Sequence, residues 1–155
     1  MAEIQFRMAT LDDTATIIHH RNAMFADMNV GTTQSRTQMD MNFDSWLRRE
    51  LSNGHYLGWL ACDADTVVAG AGLWLIDNAP SPDGFAGRLP YLLNVYTEPE
   101  YRKRGLARQL VTQAIDYCRE HQYPKIRLHA SIYGRPLYEQ LGFVDNNEMQ
   151  LNLGN

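Results

Sequence analysis

The stretch from Tyr91 to His121 constrains this chain most. An apolar, β-favouring run (Tyr91, Leu92, Leu93, Val95, Tyr96) stops at Pro99 and crosses a basic segment ending in Gly105. It then becomes a periodic helix from Leu106 to about His121, with Leu106, Leu110, Val111, Ala114, Ile115 and Cys118 on one face. A strand handing over to a helix in this way belongs to an α/β or α+β pattern. The handover also has a chemistry. The first amides of a helix lack intrahelical partners and its dipole favours negative charge there, so the segment from Arg102 to Arg108 reads as an anion site.

The rest of the chain supplies the partners such a unit needs. Ile4 to Met8 alternates as a strand, and Thr10, Asp12 and Asp13 offer caps to a helix from about Asp12 to Met28. The stripe Ile17, Ile18, Arg21, Met24, Phe25 and Met28 reads as a packed core face, with its C-terminal half and the polar loop Asn29 to Arg36 a candidate substrate mouth. Phe43 to Leu51 predicts a second, short helix. His55 to Cys62 and Thr66 to Ile76 predict an antiparallel hairpin turning at Asp63-Ala64-Asp65, and Asp77 to Pro90 a loop. Beyond Pro124, which ends the long helix, Ile126, Leu128 and Ala130 alternate as a strand. A short helix starts at Gly134-Arg135-Pro136 and ends at Gly142, and Phe143 to Val144 and Met149 to Leu153 read as terminal strands joined by a turn at Asp145 to Asn147. The strands flanking the Leu106 helix should run parallel through a right-handed crossover, and the other pairs antiparallel. The expected fold is one α/β (α+β) domain over residues 1–155, its mixed sheet mostly antiparallel with helices on both faces.

Charge narrows the ligand. The net charge of −4 argues against a general nucleic-acid binder, yet four of the 14 Lys and Arg residues fall between Arg102 and Arg108. A small polyanion fits that contrast better than a long one. Apolar residues make up 45% of the chain, without a run long enough to span a bilayer. The N-terminus lacks the basic start and apolar core of a signal peptide, which together point to a cytoplasmic protein without membrane partners. No metal site is expected: His19 and His20 are adjacent on a helix and face different ways, and His55, His121 and His129 lack ligands at suitable spacing. Cys62 and Cys118 form no disulfide framework and lack the context of an activated thiol. Trp46, Trp59 and Trp74 read as core aromatics, one of them a candidate border for an acceptor pocket.

Arg102-Lys103-Arg104-Gly105-Leu106-Ala107 fits the pattern Arg/Gln-x-x-Gly-x-Gly/Ala, in which Gly105 admits close backbone approach and Ala107 leaves the helix start uncrowded. It is neither a P-loop nor a Gly-x-Gly-x-x-Gly fingerprint. Together with Leu92 to Tyr101 before it, this segment resembles the acyl-CoA-binding motif of the GNAT superfamily of N-acyltransferases. Leu128-His129-Ala130-Ser131, with Gly134 to Tyr138 and Glu139-Gln140-Leu141-Gly142-Phe143, resembles that family's later motif, and the two stand in the family's order.

The resemblance implies acetyl-CoA as cosubstrate, an amine acceptor, small molecule or peptide, and a central parallel strand pair splayed at the acyl-CoA site. It implies that Arg102, Lys103, Arg104, Gly105, Leu106, Ala107 and Arg108 hold the pyrophosphate through amides and basic side chains. Val95 and Thr97 would offer backbone groups to the pantetheine arm, and Ser131 stands where the family often has Asn, at a pantetheine contact. Tyr138 is the implied catalytic acid, because the thiolate leaving a thioester needs a proton or hydrogen bond. The Val95 amide is the implied oxyanion donor. Glu98, Asn94 and Tyr91 are weighed as base or water-ordering groups, and none is assigned. A homodimer is compatible with such a fold. The competing reading is a catalytically silent acyl-CoA-binding module.

Overall fold

The computed structural model describes residues 3–83 and 87–154. In chain order the elements are β1 (Ile4–Met8), α1 (Thr14–Asp27), α2 (Thr33–Ser52), β2 (Tyr56–Asp63), β3 (Thr66–Asp77), β4 (Arg88–Thr97), α3 (Leu106–Glu120), β5 (Arg127–Leu128) and α4 (Arg135–Gln140), with single 3-10 turns at Leu11–Asp13 and Pro99–Tyr101. The sheet order is β1-β2-β3-β4-β5. The first three pairings are antiparallel and β4–β5 is parallel, so the sheet is mixed as expected.

Each face of the sheet has its own core. On one, Leu106, Leu110, Val111, Ala114 and Cys118 of α3 pack against Trp59, Ala61, Ala71, Leu73 and Leu92. On the other, Ile17 of α1 and Phe43 and Leu47 of α2 pack with Tyr56, and Trp46, Trp74 and Leu93 close around them. Burial of such side chains supplies roughly 1.5–3 kcal/mol each, which fixes the helices against the strands. The entry to α1 is pinned by Asp13. Its carboxylate accepts two hydrogen bonds from Arg7, both 2.8 Å, and one from the Thr10 amide at 2.8 Å, and Arg7 holds its pKa below the usual carboxylate range.

Several boundaries differ from the sequence reading. The second helix starts at Thr33, ten residues before Phe43, so the second half of the expected Asn29 to Arg36 loop is helix. Its first half is mainly polar, and Met39 and Met41 alone give it no hydrophobic period. The usable signal is the Thr32 cap, whose side chain accepts from the Ser35 amide at 3.0 Å. On α1 the fully buried face is Thr14, Ile17 and His20, while Arg21, Met24, Phe25 and Met28 are half-buried. β4 begins at Arg88 inside the expected Asp77 to Pro90 loop, of which residues 84–86 lie outside the described residues. Pro90 is accommodated there because that part of β4 pairs only with β3. The strand expected through Ile126, Leu128 and Ala130 is reduced to Arg127–Leu128.

The terminal strands at Phe143 to Val144 and Met149 to Leu153 are not formed. Val144, Met149, Leu151 and Leu153 are exposed. Alternation makes a strand only where a face receives it, and these side chains meet no such face among the described residues.

Candidate active site

The site is built where the parallel pair comes apart. β4 pairs with β5 only at Tyr91–Arg127 and Leu92–Leu128, so residues 93–97 of β4 have a strand on the β3 side alone. Within that open length the β3 register slips between Gly70 and Gly72, and Asn94 adopts a left-handed φ of 55°. Such a bulge re-aims side chains and frees backbone groups from the ladder. Val95 and Thr97 lie on this open edge, with Val95 also touching the α3-side core.

The edge leads through the Pro99–Tyr101 turn to the start of α3. Lys103 (φ 64°) and Gly105 (φ 76°) are both left-handed, and Gly105 caps α3 through its backbone, with no side chain bonded to the first amides. Leu106, Ala107 and Arg108 therefore open a helix of 15 residues whose positive end is unscreened. The basic side chains divide their tasks. Arg102 donates to the Thr97 carbonyl (2.9 Å) and to Asp27 (2.7 Å) while lying over the Tyr96 ring, so it ties α1 to the end of β4. Arg104 lies over Tyr101 and donates to the Glu100 carbonyl at 3.1 Å. Arg108 reaches Gln140 on α4, coupling the two sequence motifs, and Lys103 is exposed.

α4 carries Tyr138. Its ring packs on the α3-side core and edge-on to Phe143, and burial pushes its phenol up to about 12. A phenol so displaced stays protonated and able to donate at neutral pH. Ser131 precedes this helix and its Oγ accepts from the Gly134 amide at 3.0 Å, so the serine stabilises its own turn and retains a hydroxyl proton to give. Val95, Leu106 and Tyr138, far apart in sequence, thus all pack on one core.

Two groupings have no local signature in the sequence. The first is a polar chain across the α1 side of the sheet: Arg21 Nη1 donates to Asn94 Oδ1 (2.7 Å), and Asn94 Nδ2 donates to Tyr56 Oη (3.0 Å). Asn94 and Tyr56 are both buried, and burial pushes the Tyr56 phenol up to about 12. The bulge at Asn94 aims its side chain into this chain of bonds. The second is His19 Nε2 with Glu98 Oε1 at 2.7 Å, beside a buried His20 whose pKa burial lowers to about 4. Glu98 is therefore engaged by α1, and Tyr91 bonds to His129. Trp46 is the tryptophan that borders an open cleft, while Trp59 is core. Among the described residues no cluster of three or more His, Cys, Asp or Glu is arranged for a metal, and no helix is long and apolar enough to cross a membrane.

A mixed sheet splayed at its parallel pair, with an uncapped helix start beside the opening, is the architecture of the GNAT N-acetyltransferases. The sequence matches the Acetyltransferase (GNAT) family profile over residues 21–143, and the chain belongs to that family. Among solved structures it is similar to a GCN5-related N-acetyltransferase from Ralstonia eutropha JMP134, at 30% identity and TM-score 0.91, covering 97% of this chain and 99% of that one. It is also similar to a predicted acetyltransferase from Clostridium acetobutylicum, solved with acetyl-CoA, at 28% identity and TM-score 0.89, covering 97% of each. Glucosamine-6-phosphate N-acetyltransferase from Arabidopsis thaliana shares the fold at 15% identity and TM-score 0.71, covering 98% of this chain and 99% of that one. No curated protein sequence matches.

Proposed function

We propose that this protein transfers the acetyl group of acetyl-CoA to a primary amine by direct attack, without an acyl-enzyme. The open β4 edge at residues 93–97, ending beside the uncapped start of α3, carries the reading. An extended pantetheine arm suits the open side of β4 at Val95 and Thr97, where no β5 partner continues, as a peptide strand suits a free sheet edge. Its pyrophosphate suits the amides from Lys103 to Arg108. The side chains of Arg104 and Arg108 add positive charge there, while Arg102 positions the loop against Asp27.

In the reaction the amine nitrogen, having lost a proton to solvent or a water chain, forms a bond to the thioester carbon. The Val95 amide stabilises the oxyanion, which collapses as the carbon–sulfur bond breaks with its electron pair going to sulfur. Tyr138 supplies the proton that sulfur takes up, and the second proton shed by the nitrogen restores the Tyr138 phenol through solvent. Asn94 and Glu98 are committed to Arg21 and His19, so solvent is the simplest final proton acceptor. The protein acts as a single domain in the cytoplasm on a soluble amine.

The test is thiol detection of CoA release from acetyl-CoA with a panel of amines, paired with mass spectrometry of the products. Amine-dependent CoA release with an N-acetylated product is expected. Tight acetyl-CoA binding without release for any amine would favour the silent acyl-CoA module.

A further inference from the structure

Arg21 carries a charge that the protein leaves uncompensated. Its guanidinium carbon lies over the rings of both Phe25 and Phe43, 5.0 and 4.9 Å from their centroids, and Nη1 is used by Asn94. Nε is buried without a hydrogen-bond partner, and Nη2 is bonded to none of the described residues. The ionisable group that most influences it is the Tyr56 phenol, which is held neutral, and among the described residues no carboxylate forms an ion pair with it. By contrast Arg7 and Arg102 each have an aspartate at 2.8 and 2.7 Å. Desolvating a cation against aromatic rings without an anion is costly unless something else brings the anion.

The space beside Arg21 is suited to that visitor. A cleft of about 480 Å³ opens between α1 and α2, with Phe43 and Trp46 as apolar wall and Ser35, Gln38 and Asn42 as neutral polar groups. No acidic residue lines it, in a chain with 18 Asp and Glu residues. Through Asn94 the cleft is tied to the β4 bulge, one residue from Val95. A group bound at Arg21 is thereby connected to the place where the acyl carbon is expected.

We propose that this cleft receives the acceptor and that the acceptor is a small amine bearing an anionic oxyacid group, carboxylate or phosphate, bound by Arg21. The site rests on the acetyltransferase reading for its reaction, and on Arg21, its two rings and the acid-free cleft for its specificity. With both rings packed against the guanidinium, Nη2 and the neutral polar groups of α2 are available to an oxyanion in the cleft.

The experiment compares four acceptors of similar length: β-alanine, 2-aminoethyl phosphate, ethanolamine and β-alaninamide. CoA release is measured for wild type, Arg21→Gln and Arg21→Lys, with far-UV melting to confirm that each variant folds. Binding of β-alanine and of inorganic phosphate is read separately from tryptophan fluorescence, since Trp46 borders the cleft. At least one anionic acceptor should exceed its neutral counterparts by ten-fold or more in kcat/KM. Arg21→Gln should bring that ratio toward one, with Arg21→Lys between them. The better of β-alanine and 2-aminoethyl phosphate identifies the anion.

Equal or better turnover of the neutral amines by wild type would overturn the proposal while leaving the acetyltransferase reading intact. Saturable binding of either anion, lost in Arg21→Gln, without CoA release from any amine would support the anion site and count against that reading. Absence of both binding and release would overturn both.

Discussion

A methyl group at Gly72 would stand 2.1 Å from Tyr56 Oη and 2.6 Å from its ring carbon Cζ, so the phenol that bonds Asn94 occupies the space that glycine leaves empty. Gly72→Ala is therefore expected to destabilise the fold by about 1–3 kcal/mol, the usual range for overpacking a core. A lower urea midpoint would register it. Tyr56→Phe in the Gly72→Ala background should recover part of the loss, because it removes the closest atom. Full stability of Gly72→Ala alone would refute the contact.

His20 makes the fold sensitive to mild acid. Burial lowers its pKa to about 4 from the ordinary 6.5, so between those values the unfolded chain binds the proton that the folded chain refuses. Stability is present above about pH 6.5 and falls as the pH drops toward 4. His20→Leu should narrow the difference between urea midpoints at pH 7 and pH 4.5. An unchanged difference would assign the acid sensitivity elsewhere.

Gly105 holds φ 76°, and an added Cβ there would meet nothing within 4 Å. The cost of Gly105→Ala is then backbone strain, about 1–2 kcal/mol for an L-residue in the left-handed region. Because this residue sets the start of α3, acetyl-CoA affinity should drop by ten-fold or more in isothermal titration, with only a modest loss of melting temperature. Unaltered affinity would remove the α3 start from the binding site.

Cys62 and Cys118 are both buried, and burial pushes the Cys118 thiol up to about 12. The native protein should show no fast-reacting thiol toward a disulfide reagent, while both titrate in denaturant. A fast native thiol would reopen an acyl-cysteine route, which direct transfer does without.

The sequence was most informative where one face of an element is buried against the sheet. The α3 stripe, the β2–β3 hairpin, Pro99 and Gly105 before α3 and Pro124 after it all announce themselves, because local period and turn chemistry agree with the packing. Tyr138 and the Arg102 to Arg108 segment were legible as motifs. The first half of α2 was not, since a helix exposed on nearly every side shows no period. Arg21 looked like one member of an apolar stripe. Its partner Asn94 is 73 positions away, and a bulge no pattern announces turns that asparagine toward it. The tail from Met149 to Leu153 erred the other way, showing a strand's alternation without a face among the described residues to receive it.

The central claim is that the opening between β4 and β5 holds acetyl-CoA and that Tyr138 donates to the departing sulfur. The most direct measurement compares wild type and Tyr138→Phe in two assays: the Kd for acetyl-CoA by isothermal titration, and kcat for CoA release with the best amine. The expected result is a Kd within about three-fold of wild type and a kcat lower by roughly 10²-fold or more, the scale of a lost general acid. A Tyr138→Phe enzyme that releases CoA at the wild-type rate would contradict it.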